Sequence, residues 1–253
     1  MTTNANSNGT IALGANYEAW DNNYNLRLWG YQFNNFGTLL YSDSSLKLPL
    51  NKTLQLNFAA QAGINNNFGA TTAYTNNTDG VPPFSGTEAS YFNSSGNINS
   101  NFLGAKAGIT VDWFTLTLSA NTMWGPSNAV GNGTVITPYT SSLGTDPIFA
   151  DGWLTSYAYA GSVGGSTGNL YKIGTSFKFL DNNLSFSPSY VTLANANPYW
   201  NGTQEAYATL NYSIPQVRGL FIFGVYSYQW TPTINPMNGK NDWAGQILAS
   251  YLW

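Results

Sequence analysis

Residues 242–253, Asp-Trp-Ala-Gly-Gln-Ile-Leu-Ala-Ser-Tyr-Leu-Trp, alternate apolar and polar side chains up to the last position of the sequence. Trp243, Ile247, Ala249, Tyr251 and Trp253 share one parity, while Asp242, Gln246 and Ser250 share the other. Consecutive side chains of a strand point to opposite faces, so this segment is a strand with one apolar face that ends on aromatic rings. Such a face needs an apolar medium beside it, either a protein core or lipid, and the rest of the chain decides which.

Charge points to lipid. Only 8% of the 253 residues are charged, against roughly 25% in ordinary soluble domains. A soluble all-β sandwich with one wet face has the same periodicity, but its wet face would carry more charge than this. Aromatic residues make up 16% of the chain, and Tyr and Trp are the side chains that girdle both interfaces of a membrane barrel. The longest apolar stretches, such as Leu220-Phe-Ile-Phe-Gly-Val225, fall far short of the ~20 residues a spanning helix needs. The terminal Tyr251 and Trp253 resemble the last strand of bacterial outer-membrane barrels, and that resemblance implies that these two residues act as an assembly signal. The absence of cysteine fits an oxidising envelope compartment. The absence of histidine removes Ser/His and Cys/His catalysis and His-ligated metal centres, so no enzymatic activity, no cofactor and no metal are expected.

Period-two runs recur at residues 10–20, 23–34, 38–48, 53–65, 101–112, 114–125, 169–180, 183–194, 203–213, 218–230 and 242–253. Asn, Gly and Asp separate them, as turns between barrel strands require. Ile11, Leu13, Ala15, Tyr17 and Ala19 line one face of the first run, and Leu103, Ala105, Ala107, Ile109 and Val111 one face of the fifth. These faces are expected to meet lipid. Glu18, Arg27, Asp43, Lys47, Lys106, Asp112, Lys172, Lys178 and Glu205 lie out of phase with them and are the expected pore-lining residues. An Arg or Lys on the lipid side at mid-depth costs roughly 2–4 kcal/mol, which places the charges on the opposite face. Glu18 and Arg27 are expected to neutralise each other across the first hairpin.

Connection lengths set the orientation. Residues 21–23, 49–52, 112–114, 180–183 and 213–219 are short and are read as periplasmic turns; 66–100, 126–168, 195–202 and 231–241 are longer and are read as outer loops. The alternation closes if residues 126–168 form one excursion that folds into the lumen. Trp153-Leu-Thr-Ser-Tyr-Ala-Tyr159 inside it reads as a strand by itself, and counting it requires another at about Gly133–Thr137. The expected architecture is therefore one all-β domain over 1–253, an antiparallel transmembrane barrel with eleven or twelve strands from this chain. Residues 1–9 have neither the basic region nor the apolar core of a signal peptide, which leaves open a removed signal, an added Met or a longer parent chain.

Gly144-Thr-Asp-Pro-Ile-Phe-Ala-Asp-Gly-Trp153, followed by Leu170-Tyr-Lys-Ile-Gly-Thr-Ser-Phe-Lys-Phe179, resembles the OprD-like family of outer-membrane porins. In that family an inward loop containing Asp-Pro precedes a strand of the form Tyr-Lys-Leu-Gly-x-x-Tyr-x-Phe. Pro215-Gln-Val-Arg-Gly-Leu220 resembles the family's Pro-x-Val-x-Gly-Leu turn. The resemblance covers residues 100–253 and extends more faintly to 10–65. It implies an eighteen-stranded barrel of which this chain matches the last eleven strands, in the outer membrane of a Gram-negative bacterium. It also implies passive diffusion of small hydrophilic solutes (ions, amino acids, small carboxylates) past a basic ladder that faces acidic loops. Arg27, Lys47, Lys106, Lys172 and Lys178 are the ladder candidates, and Asp146, Asp151 and Tyr157 belong to the expected constriction loop. Expected partners are outer-membrane lipid, the barrel-assembly machinery, the solutes and two further copies in a homotrimer; no nucleic acid is expected. The alternative is a structural or adhesive barrel whose long outer loops bind a partner. Gly161-Ser-Val-Gly-Gly-Ser-Thr-Gly168 lacks the Lys-Ser/Thr ending of a phosphate loop.

Overall fold

The computed structural model describes residues 9–34, 37–67, 97–135, 148–152, 166–217, 219–230 and 241–251. Asp146, Tyr157, Trp253 and most of the two long loops lie outside the described residues, as does the candidate strand at 153–159. Eleven antiparallel strands form one sheet in chain order. They are β1 (Thr10–Ala19), β2 (Tyr24–Phe33), β3 (Gly37–Pro49), β4 (Leu54–Asn67), β5 (Asn99–Val111), β6 (Phe114–Trp124), β7 (Gly168–Phe179), β8 (Leu184–Ala194), β9 (Gln204–Ser213), β10 (Leu220–Trp230) and β11 (Asp242–Tyr251). Each of the eleven expected runs became one strand. At the other candidate strand, 133–137, Gly133 ends a short 3-10 helix (Val130–Gly133) and the next two residues are not in a strand.

The connections after β1, β3, β5, β7 and β9 are short and lie at one end of the sheet. Two of them share Asp-Asn-Asn: Trp20, Asp21 and Asn22 repeat the positive φ values of Leu180, Asp181 and Asn182, and Asn tolerates that left-handed region better than most residues. In both turns the last Asn N–H donates to the first carbonyl, Asn23 to Trp20 at 2.9 Å and Asn183 to Leu180 at 3.0 Å. Asn51 organises the turn after β3 by accepting from the Thr53 and Leu54 amides, each at 2.9 Å.

One face of the sheet is apolar and open. Leu13 is 80% exposed and Ile247 83%, and a continuous face of such residues is stable only against lipid. Aromatic rings gather at both of its ends. Tyr17, Trp20 and Tyr24 cluster at the short turns, as do Trp113, Phe114, Phe177 and Phe179. Trp124, Trp230 and Trp243 are exposed at the long-loop ends of their strands. This is the pair of interfacial girdles that a spanning barrel needs.

The opposite face is not polar along its whole length, as the alternation implied. Toward the long-loop end it carries Tyr31, Phe33, Leu39, Tyr41, Phe102, Met123, Leu170, Val191 and Leu193, all buried. Ile98, Val135, Ile148 and Ala150 pack against them, with Ala196 and Trp200 at the margin. Loop segments fold over this half of the inner face and exclude water, so apolar side chains are stable there. The half nearer the short turns keeps the open polar lining, while Asn65, Ser100 and Gln229 are buried in the other half.

Eleven strands also fix the relation of the two edges. β1 and β11 run in the same direction, and among the described residues each pairs on one side only. Direct closure of one on the other would be a parallel seam. Closure by antiparallel pairing alone requires an odd number of strands between them.

Candidate functional site in the lumen-facing cleft

The strands bring polar side chains to the inner face at alternate positions, and the register aligns the inner-face residues into rows. Ser45, Ala59, Lys106, Ser119 and Lys172 form one such row across β3 to β7. Lys47 lies two residues nearer the short turns. All of these but Ser119 border a cleft of about 890 Å³ whose lining runs from β1 to β9 and includes Glu18, Arg27, Asp43, Lys47, Lys106, Asp151, Lys172 and Tyr207.

Arg27 donates from Nε at 3.0 Å and from Nη2 at 2.9 Å to the same oxygen of Asp43. The expected Glu18–Arg27 cross-strand pair does not form, because the β1–β2 register sets Asn16 opposite Arg27 and Asn25 opposite Glu18. Glu18 instead accepts from Asn16 at 3.0 Å and Asn25 at 3.2 Å. The neutralising partner of Arg27 sits on the following strand, which a reading confined to one hairpin could not see.

Residues 148–152 cross this face. The Phe149 amide donates to Gln61 Oε1 at 3.0 Å and the Ala150 amide to Asn121 Oδ1 at 2.8 Å. Asn121 Nδ2 donates in turn to Gln61 Oε1 at 2.7 Å. Gln61 and Asn121 stand on β4 and β6, either side of Gly104 on β5. A Cβ on Gly104 would occupy the space in which the two amides meet, so the glycine is what allows this bridge. Lys172 Nζ donates to the Asp151 carbonyl at 3.0 Å and lies 5.2 Å from the centre of the Tyr207 ring. Lys106 Nζ lies 4.7 Å from the centre of the Phe149 ring. Both lysines are thus held by aromatic faces, which attract cations.

Glu205 is fully buried and accepts from Ser227 Oγ at 2.6 Å. Asp151 keeps a partly exposed edge but is walled in by protein. Its carboxyl is pushed up to about 7, chiefly by loss of water; Lys172 and the Gly152 N–H pull it down, and Glu205 pushes it up.

The expected residues divide as follows. Glu18, Arg27, Asp43, Lys47, Lys106, Asp151 and Lys172 border one cleft. Glu205 is on the inner face but sealed beneath residue 152. Lys178 is exposed near the short turns, opposite Ser185. Asp112 is not on the strand wall: it is exposed in the two-residue turn after β5, with φ 54°. Tyr251 is exposed on the outer face, opposite Leu220 at the short-turn end. Gln61, Asn121, Phe149 and Tyr207 escaped the sequence reading because uncharged residues carry no distinguishing signal in a chain so rich in them.

Neither a protein-family model nor a curated protein matches this sequence. Solved structures do match. OpdK of Pseudomonas aeruginosa superimposes with a TM-score of 0.65 at 16% identity, over 97% of this chain and 57% of its own. The fold is that of the OprD-like porins. OprD of Pseudomonas aeruginosa gives a TM-score of 0.62 at 14% identity, with 98% of this chain and 63% of its own. OccAB3 of Acinetobacter baumannii gives 0.63 at 15%, with 96% and 54%. The chain therefore spans little more than half the length of the OprD-like structures it matches.

The two faces can be separated experimentally. Cysteines placed at Lys172 and Lys178 are expected to react with a water-soluble thiol reagent in the membrane-inserted protein, and cysteines at Ile173 and Phe177 to stay unmodified. Labelling at all four positions would mean that the apolar face is not covered by lipid.

Proposed function

We propose that this chain forms the wall of a bacterial outer-membrane porin that lets small hydrophilic solutes diffuse passively, with weak preference for small carboxylates. The observation that carries the reading is the cleft bordered by Lys47, Lys106 and Lys172 from three alternate strands, with residues 148–152 laid across its wall. Arg27 and Asp43 cancel each other, and Asp151, held up to about 7, is only partly charged near neutrality. The lysines then outweigh Glu18, and the local field favours anions. Aqueous pores select by width and by the charge at the narrowest zone, and they hold solutes weakly enough to release them. Two of the similar structures were obtained with compounds of this kind, OpdK with vanillate and OccK2 with glucuronate, both small carboxylates.

The apolar core over the loop-end half of the inner face is the observation that favours the second reading, a plugged barrel whose outer loops bind a partner. Reconstitution in a planar bilayer distinguishes the two. Discrete conductance steps with a reversal potential on the anion-selective side are expected for the porin; inserted protein that passes no current would support the plugged barrel.

A further inference from the structure

The segment 148–152 is fastened at its first half by neutral amides and at its second half by ionisable groups. Gln61 and Asn121 hold Phe149 and Ala150. At Gly152 the backbone abuts the Glu205 carboxylate so closely that any side chain would collide with it. Asp151 and Glu205 thus stand at one turn of the backbone, and the Lys172 amine is bonded to the carbonyl of the first. We propose that Asp151, Glu205 and Lys172 form a proton-operated latch that seats residues 148–152 on the inner wall and releases them as pH rises.

With Asp151 protonated, the site holds one carboxylate and one ammonium. With Asp151 ionised it holds two carboxylates against one ammonium in a place shielded from water, and like charges there repel strongly. The sign follows from linkage. The carboxyl titrates near 7 when seated, above its ordinary 3.8, so its contribution to seating is fully present below 3.8 and is lost as pH rises through about 7. The other charged or titratable groups facing this segment are Lys106 on β5, over Phe149, and Tyr207 on β9, whose hydroxyl donates to the Asp151 carbonyl at 3.5 Å. β2 and β3 bring the Arg27–Asp43 pair and Lys47 to the same cleft.

The latch is tested by hydrogen exchange of the Phe149 and Ala150 amides in the full chain, corrected for intrinsic pH dependence, beside single-channel currents. Between about pH 6 and about pH 8.5 the corrected exchange is expected to rise roughly tenfold. Asp151→Asn is expected to keep the amides protected throughout, and Glu205→Gln, which removes a charge that raises the Asp151 carboxyl, is expected to move the midpoint to lower pH. A flat wild-type profile, or an unchanged pH response in Asp151→Asn, overturns the latch. Its effect on conductance rests on the porin reading, and the two failures differ: pH-dependent exchange without current sinks the pore and leaves the latch, whereas current with flat exchange does the reverse.

Discussion

Replacing Lys47, Lys106 and Lys172 together by glutamine is expected to abolish anion preference and move the reversal potential under a salt gradient to the cation side. The size follows from Coulomb's law. An anion about 6 Å from one ammonium in water gains about 0.7 kcal/mol, so three lysines supply about 2 kcal/mol before screening. Salt at physiological strength removes part of this, and a permeability ratio lowered roughly tenfold is the expected remainder. The effect depends on position, because the three ammonium groups reach one cleft while Lys178 is not among its lining residues. Lys178→Gln is therefore the control and should change the ratio far less. If the triple variant keeps its anion preference, the field at the narrowest zone comes from elsewhere and the proposed solute class loses its basis.

The second large effect concerns the inner core. Gly63 lies opposite Phe102 in the β4–β5 register, and a Cβ there would run into the Phe102 ring and stand 2.8 Å from the Leu40 carbonyl on β3. Phe102 is 1% exposed and stacks on Tyr41 with ring centres 6.0 Å apart. Gly63→Ala is expected to destabilise the folded protein by about 1–3 kcal/mol through overpacking. Phe102→Ala should cost about 3–5 kcal/mol through the cavity it leaves. Pairing Gly63→Ala with Phe102→Leu is expected to cost less than the sum of the single changes, because the smaller side chain vacates the contested space. Denaturant unfolding in micelles, read by heat-modifiable mobility and tryptophan fluorescence, measures the wild type, the single variants Gly63→Ala, Phe102→Ala and Phe102→Leu, and the double variant. Additive losses would mean that the ring and the glycine do not compete for one site.

The strands could be read from the chain because their signal is local. In β1, β5 and β11 the alternation alone separates the apolar face from the polar one, and the Asp-Asn-Asn turns mark where two pairs of strands reverse. The loop-end core was harder to see. Leu39-Leu40-Tyr41 and Phe102-Leu103 break the alternation by making both parities apolar, and in a barrel that pattern marks a lumen covered by its own loops. Read as a defect of periodicity it carries no meaning; read with the segments that cover it, it is the core.

The sequence by itself determined the class of fold, the approximate spans of eleven strands, and the face on which nearly every strand charge lies, because each depends on side chains two residues apart. Only the tertiary structure decided who meets whom. Asp43 rather than Glu18 neutralises Arg27, Gly104 lets Gln61 and Asn121 join across a strand, and Asp151 settles between Lys172 and Glu205. Such meetings depend on the register between strands far apart in the chain and on how a loop folds back, and the energies that set them come from burial and pairing across the whole sheet.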